Sequence, residues 1–371
     1  MKRLASILIL ALLMSPPIGE IVATPKCLAS QEISEFYSFE NDMEGWTTKG
    51  TDLVLNEWSI TRSQDTAKEG SSSLKLGLFN RNDNGKIWVE KAFMVEPNQI
   101  YQASVEYALA SAEFVAGTAW VVITGVLNKS PQNAIDLGPA YKDGTQNNRD
   151  SSGFAWTKRR YDFTVRSDER GMFWVVVGVA GTTEAARGIY YVDKLRVTLT
   201  KKPEGSQFYS FEQNMEGWTA NGTDLELGSG LIDSSVTRDQ ALDGSASIKL
   251  DLNNLNGKGK VWIEKAFVVE PRQIYRVQVD YSFVARPFTK PFFRIITGVL
   301  RNHPETADDL TPAYQDDADV QRSFGSVHRS YQLKVKSKKS EMLYVVIGIW
   351  GTEQEHRTYW FDNVCVTLTK Q

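Results

Sequence analysis

Apolar and polar positions alternate in short runs along most of this chain, and the runs come twice. Ile87-Trp88-Val89-Glu90-Lys91-Ala92-Phe93 places Trp88, Glu90 and Ala92 on one side of a strand and Ile87, Val89 and Phe93 on the other. The signature returns as Val261-Trp262-Ile263-Glu264-Lys265-Ala266-Phe267. In both places a Glu-Pro turn follows, at Pro97 and Pro271, where proline fixes φ. A second alternating strand then starts at Ile100 or Ile274. A strand-turn-strand unit that occurs twice marks an internal duplication.

The other segments pair in the same order. The openings at 36–47 and 208–219 alternate aromatic and polar residues and enter a turn at Gly45 or Gly217. A Gly-Ser-x-Ser-Leu/Ile-Lys-Leu strand follows at 70–76 and 244–250, then a polar Asn/Gly turn at 81–85 and 255–259. Runs at 120–127 and 293–300 lead into a long polar loop containing 136–141 or 309–314. A loop of that length in a compact domain is functional or disordered. Strands resume at 159–165 and 329–335, at 172–179 and 342–349, and close each repeat at 190–200 and 359–369.

No segment after the N-terminus keeps a helical period. About eight to nine short strands per repeat predict an all-β chain of two tandem β-sandwich domains of jelly-roll type. The expected division is a signal peptide at 1–29, a first repeat at 34–200, a linker at 201–207 and a second repeat at 208–371.

Composition narrows the function. Of 371 residues, 42% are hydrophobic, enough for a core in each repeat, and the net charge is −3 with no Lys/Arg block. The charge pattern predicts no nucleic-acid partner. Met1-Lys2-Arg3 followed by an apolar run from Leu4 to Met14 reads as an export signal too short to span a bilayer. No second run of spanning length follows, so a secreted, periplasmic or cell-surface location is expected, without a membrane span. If Cys27 leaves with the signal, Cys365 has no partner for an intrachain disulfide. The histidines His303, His328 and His356 all lie in the second repeat, which excludes a His-based catalytic centre common to both copies. No metal-ligand His/Cys spacing, phosphate-binding glycine loop or nucleophile elbow is present, so no enzyme activity is expected.

The Phe-Glu…Gly-Trp opening, the Gly-Ser-x-Ser-Leu-Lys-Leu strand, the Trp-x-Glu-Lys-x-Phe-x-Val-x-Pro pair and the closing Val-Asp-x-Leu-x-Val strand resemble the carbohydrate-binding modules of families 4/9 and 22. Those modules are galactose-binding-like jelly rolls, and the resemblance spans nearly all of both repeats. It implies an exported, non-catalytic protein that binds a polysaccharide or a cell-envelope glycan. The alternative is a structural or adhesive surface protein that uses the same sandwich for protein contacts.

The resemblance also implies two kinds of site. One is a structural calcium held by Glu40 and Asp193 in the first repeat and by Glu212 and Asp362 in the second, with carbonyls near Gly70 and Gly244. Ordinary strand-end acids would read the same way. The other is a sugar platform of flat rings and a carboxylate. Its members would be Trp88, Glu90, Trp120, Tyr141 and Trp174, answered by Trp262, Glu264, Phe293, Tyr314 and Tyr344. Each ring fits core packing as well.

Overall fold

The computed structural model describes residues 32–371 except 54–56, 83, 114–119, 145–154, 183–185, 226–230, 243, 287–291, 320–326 and 340–341. The expected signal at 1–29 lies outside the described residues.

The first repeat comprises β1 (Glu32–Tyr37), β2 (Thr47–Thr51), β3 (Glu57–Ser63), β4 (Ser73–Asn80), β5 (Lys86–Met94), β6 (Ile100–Glu113), β7 (Trp120–Leu127), β8 (Tyr141–Gly144), β9 (Thr157–Arg166), β10 (Met172–Gly181) and β11 (Ala186–Lys201). The second repeats the series as β12 (Gln207–Tyr209), β13 (Thr219–Thr223), β14 (Leu231–Thr237), β15 (Ser247–Asn254), β16 (Lys260–Val268), β17 (Ile274–Arg286), β18 (Phe292–Leu300), β19 (Tyr314–Asp319), β20 (Val327–Lys336), β21 (Met342–Gly351) and β22 (Glu355–Lys370).

Each repeat folds into two antiparallel sheets. In the first, a six-stranded sheet runs β3-β4-β11-β6-β9 with β1 also on β11, and a five-stranded sheet runs β2-β5-β10-β7-β8. The second repeats both orders strand for strand. The terminal strand of each repeat is long because it has two jobs. β4 pairs with its first half and β1 with its second, while β6 follows its other edge throughout.

Period-2 alternation decides the packing. Leu74, Leu76 and Leu78 of β4 point into the sandwich and are buried, whereas Lys75, Gly77 and Phe79 face outward. Burying one leucine side chain this way stabilises the fold by roughly 1.5–3 kcal/mol. Trp120 and Tyr190 close one end of the first core, with ring centroids 5.4 Å apart; Phe293 and Tyr359 do so in the second at 5.5 Å.

Two bulges interrupt the regular pleat in equivalent places. The β11–β6 register slips between Asp193 and Arg196, and Lys194 takes φ of +54°. Its counterpart Asn363 takes +51°, beside a slip in the β22–β17 register. Such a bulge turns side chains out of the pleat.

The repeats touch. Lys202, just after β11, places its ammonium 2.8 Å from the Asp280 carboxylate of β17, and both are buried. Thr164 of β9 and His328 of β20 share a hydrogen bond of 3.0 Å. The void where Phe163 and Thr164 meet Leu242, Ser282 and Asn363 is only about 20 Å³, so this contact is closed.

Candidate functional site

The outer face of the five-stranded sheet collects most of the predicted platform. Trp88 and Glu90 lie side by side on β5, opposite Gly178 and Val176 of β10. Their neighbours across β10 are Ile123 and Gly125 of β7. Trp262 and Glu264 sit against Gly348 and Val346 in the same way.

This face is not open. The segment between β7 and β8 crosses it as a strap, ending in a 3₁₀ turn at Gly138–Ala140. Leu137 and Ala140 are fully buried beneath it with Trp88, Ile123 and Val176. The second repeat forms the same strap with a turn at Thr311–Ala313, over Trp262 and Ile296. Close approach of the turn requires glycine below it. A Cβ on Gly125 would meet the Ala140 Cβ at 2.7 Å, and one on Gly298 would meet the Ala313 Cβ at 2.3 Å.

Each strap is latched to the buried glutamate. Glu90 accepts hydrogen bonds from the Trp88 indole N–H at 3.1 Å and from the Ser130 hydroxyl at 2.6 Å, with Lys49 Nζ 3.8 Å away. Glu264 accepts the Trp262 indole N–H at 2.9 Å and pairs with His303 Nε2 at 2.5 Å. A carboxylate buried to this degree needs such partners. The far end is pinned by phenols: Tyr141 donates to the Ala134 carbonyl at 3.3 Å and Tyr314 to that of Ala307 at 2.9 Å. Burial, then the charge of Asp52, pushes the Tyr141 phenol up; burial, then Asp224 and Asp308, raises that of Tyr314, so both keep the donated proton.

The predicted residues therefore separate into three groups. Trp120 and Phe293 belong to the sandwich interior and offer no face to a ligand. Trp88, Glu90, Trp262 and Glu264 share one sheet face, as their spacing predicts, but lie beneath the strap. The half-buried rings remain at its two ends. At one end are Trp174, with the Arg170 guanidinium 5.8 Å from its ring, and Tyr344, edge-on to His303 at 5.6 Å. At the other are Tyr141 and Tyr314; Tyr314 lies 5.1 Å from Trp350, whose ring also meets Lys260 and Arg294 at 4.6 and 5.0 Å. Ser130, His303 and Trp350 were not foreseen. The loop offset that pairs Ser130 with His303 shows only once Leu127 and Leu300 are set in register.

The four acids expected around calcium are engaged by donors. The Glu40 carboxylate accepts the Ser71 N–H at 3.0 Å, the Ser71 hydroxyl at 2.8 Å and the Ser72 N–H at 3.1 Å. The Ser71 hydroxyl and then these backbone groups hold its pKa below the usual carboxylate range. Asp193 accepts N–H groups of Lys68, Glu69 and Lys194, tying the loop before β4 to the bulge. Glu212 repeats the first pattern with Ser245 and Ala246, and Asp362 accepts from Leu242 and Asn363. Gly70 packs on the Glu40 carboxylate so closely that a Cβ would lie 2.2 Å from an oxygen. In the first repeat the Arg62 guanidinium donates to the Phe39 and Glu40 carbonyls and to the Ser72 hydroxyl at 2.7 Å. Calcium requires six to eight oxygens turned toward it. The carboxylates accept N–H groups instead, and in the first repeat Arg62 already places a cation beside Glu40, so that site of the first repeat does not fit calcium. Among the described residues no group of three or more His, Cys, Asp or Glu side chains forms a metal site.

The remaining histidines are also structural. His328 is half-buried between the repeats, and desolvation there pushes its pKa down to about 4 against the raising influence of Asp280 and Asp162, with Lys202 and Lys142 lowering it further. His356 pairs with Asp251 at 2.7 Å on the surface. No helix among the described residues is long and apolar enough to cross a membrane.

No family model matches the chain, and no curated protein matches it. Among solved structures it is similar to the tandem CBM22-1-CBM22-2 domain of Paenibacillus barcinonensis Xyn10C, with 14% identity over 92% of this chain and 98% of that one and a TM-score of 0.31. It is also similar to the C-terminal family 22 carbohydrate-binding module of Clostridium thermocellum Xyn10B, with 19% identity, 44% and 91% coverage and a TM-score of 0.27. The mannan-recognising module TmCBM27 is similar at 15% identity, 47% and 100% coverage and a TM-score of 0.29. At these values the likeness carries no inference about ligand or activity.

Proposed function

We propose that the chain is an exported, non-catalytic carbohydrate-binding protein. One observation carries this reading: both repeats keep a half-buried aromatic ring at the latched end of the strap, beside the buried glutamate. In the first repeat it is Trp174, two residues along β10 from the partner of Glu90. In the second it is Tyr344, linked to Glu264 through His303. A pyranose stacks its C–H face on such a ring, and nearby polar groups then orient its hydroxyls. The glutamates and His303 hold the strap in this reading; neither is left to transfer a proton.

The test is titration of the full chain with neutral xylan, mannan and galactan oligosaccharides, followed by tryptophan fluorescence and calorimetry. Saturable binding to one of them is expected. Trp174→Ala and Tyr344→Ala should each remove one class of site and leave the melting temperature within a few degrees, because both rings are only half-buried, Tyr344 at the edge of the Trp262 cluster. Absence of binding to every glycan, charged or neutral, would overturn the reading.

A further inference from the structure

We infer that the first repeat carries a second binding site, on the outer face of its six-stranded sheet, for a carboxylate-bearing polysaccharide. The inference rests on the proposed carbohydrate-binding function and assigns to this separate face its own class of glycan.

The site is a groove of about 380 Å³, within the ~300–1,000 Å³ usual for small-ligand sites. Its base is Tyr107 and Ala108 of β6. The register sets one row across it: Phe36 of β1 opposite Arg196, Arg196 opposite Glu106, and Glu106 opposite Arg160. The β11 bulge turns Lys194 into the groove mouth, and Lys158, opposite Ala108, closes the other side. Lys68 comes from the loop that Asp193 holds.

Charge and apolar surface are arranged for an anion with a ring. Phe36 is 46% exposed, and Trp156 lines the same groove. The Arg196 guanidinium lies 5.2 Å from the Phe36 ring centroid. Among the described residues neither Arg196 nor Lys68 has a carboxylate within ion-pair distance, and both are exposed. The one acid in the groove, Glu106, is already paired with Lys158 at 3.1 Å and Arg160 at 2.8 Å. An exposed ring can stack a pyranose, while a guanidinium fork and an ammonium meet its carboxylate.

The second repeat shows what this face becomes without such a ligand. Arg196, Lys194, Lys68 and Lys158 are replaced there by Cys365, Asn363, Leu242 and His328. The face receives the first repeat instead, with Asp280, in the position of Glu106, accepting Lys202. Both copies keep the acid and the Phe36/Phe208 ring; the lysines and arginine around them are present on the open face and absent on the filled one. A second chain is the poorer occupant. The position that corresponds to Lys202 is Gln371, which brings no cation to Glu106, and the open face is itself basic.

The experiment is calorimetric titration of the full chain with polygalacturonate, its methyl ester and poly-L-glutamate at low and at physiological salt. Polygalacturonate is expected to bind and to weaken as salt rises. The double variant Arg196→Ala/Lys68→Ala is expected to bind it roughly tenfold or more weakly. Lys334→Ala/Lys336→Ala, which removes equal charge from exposed positions of β20, should bind as the parent does. Binding of neutral glycans without polygalacturonate, equal binding of the methyl ester, or equal loss in both double variants would overturn the inference and leave the general reading standing. Equal binding of poly-L-glutamate would show an acidic-peptide site and overturn it too. Absence of binding to any glycan would remove both.

Discussion

The two six-stranded sheets share strand order, the bulge and the outward residues' register, yet their outer faces are put to opposite use. In the second repeat Asp280, His328 and Leu242 are closed over by β9, Lys142 and Lys202 of the first. In the first repeat the same face is open: Lys158 and Lys68 stand where His328 and Leu242 do, Glu106 keeps the acid of Asp280, and Phe36 and Trp156 line the groove. The scaffold tolerates both because the face lies outside the sandwich. In the second repeat Leu242 joins Val284 and Trp360, and Cys365 is buried, where the first repeat has exposed Lys68 and Arg196. Duplication thus lets one copy hold the assembly together and frees the other for a ligand.

The largest test of that contrast is removal of the acid at equivalent positions. Asp280→Ala leaves Lys202 buried without its partner and should cost ~3–5 kcal/mol in urea denaturation. Glu106→Ala should cost no more than ~1 kcal/mol, since its pairs are exposed on the cation side. Equal costs would break the comparison.

Acid should open the second face and spare the first. His328 has its pKa pushed down to about 4 from 6.5, so the folded state resists its protonation. A depressed pKa means that the unfolded chain binds the proton more readily. Stability is then full above about pH 6.5 and falls by ~1.4 kcal/mol per pH unit as pH drops toward 4. Denaturation at stepped pH should show this slope in the parent and lose it in His328→Gln.

The straps give a smaller contrast. Gly125→Ala and Gly298→Ala each drive a Cβ into the 3₁₀ turn, at a cost of ~1–3 kcal/mol, with the tighter Gly298 site the more affected. Paired thermal melts of the two variants check the order. The smallest effect is expected from chelation. With N–H donors on the acids, and Arg62 on the neighbouring carbonyls of the first repeat, excess EDTA should leave the melting temperature unchanged, whereas a bound calcium would show as a clear drop.

The repeat, the all-β class and the facing of Trp88 with Glu90 were legible because they rest on period-2 alternation and on direct recurrence. The expected eight or nine strands became eleven in each repeat among the described residues. The added ones include β2 and β8, short edge strands such as Thr47–Thr51 whose polar residues leave no alternation to read. Their partners' backbone groups, not their own side chains, make them strands. Trp120 and Trp174 look alike in sequence, but one is core and one is rim. That distinction depends on which face of its strand points into the sandwich: Trp120 joins Val122 and Val126 inside, whereas Trp174 shares the outer face with Val176, which Leu137 and Ala140 of a polar-reading loop partly cover. Glu40 and Asp193 read as strand-end acids, but Glu40 lies in the bend after β1 and Asp193 at the bulge in the middle of β11; what they accept is set by the backbone of residues 68–72, which composition does not disclose.

The most direct measurement is hydrogen exchange of the full chain with and without saturating polygalacturonate. The account predicts added protection in β6, β9 and β11 around residues 106, 158 and 196, and none in β17, β20 and β22. Protection shared equally by the two repeats, or confined to the second, would contradict it.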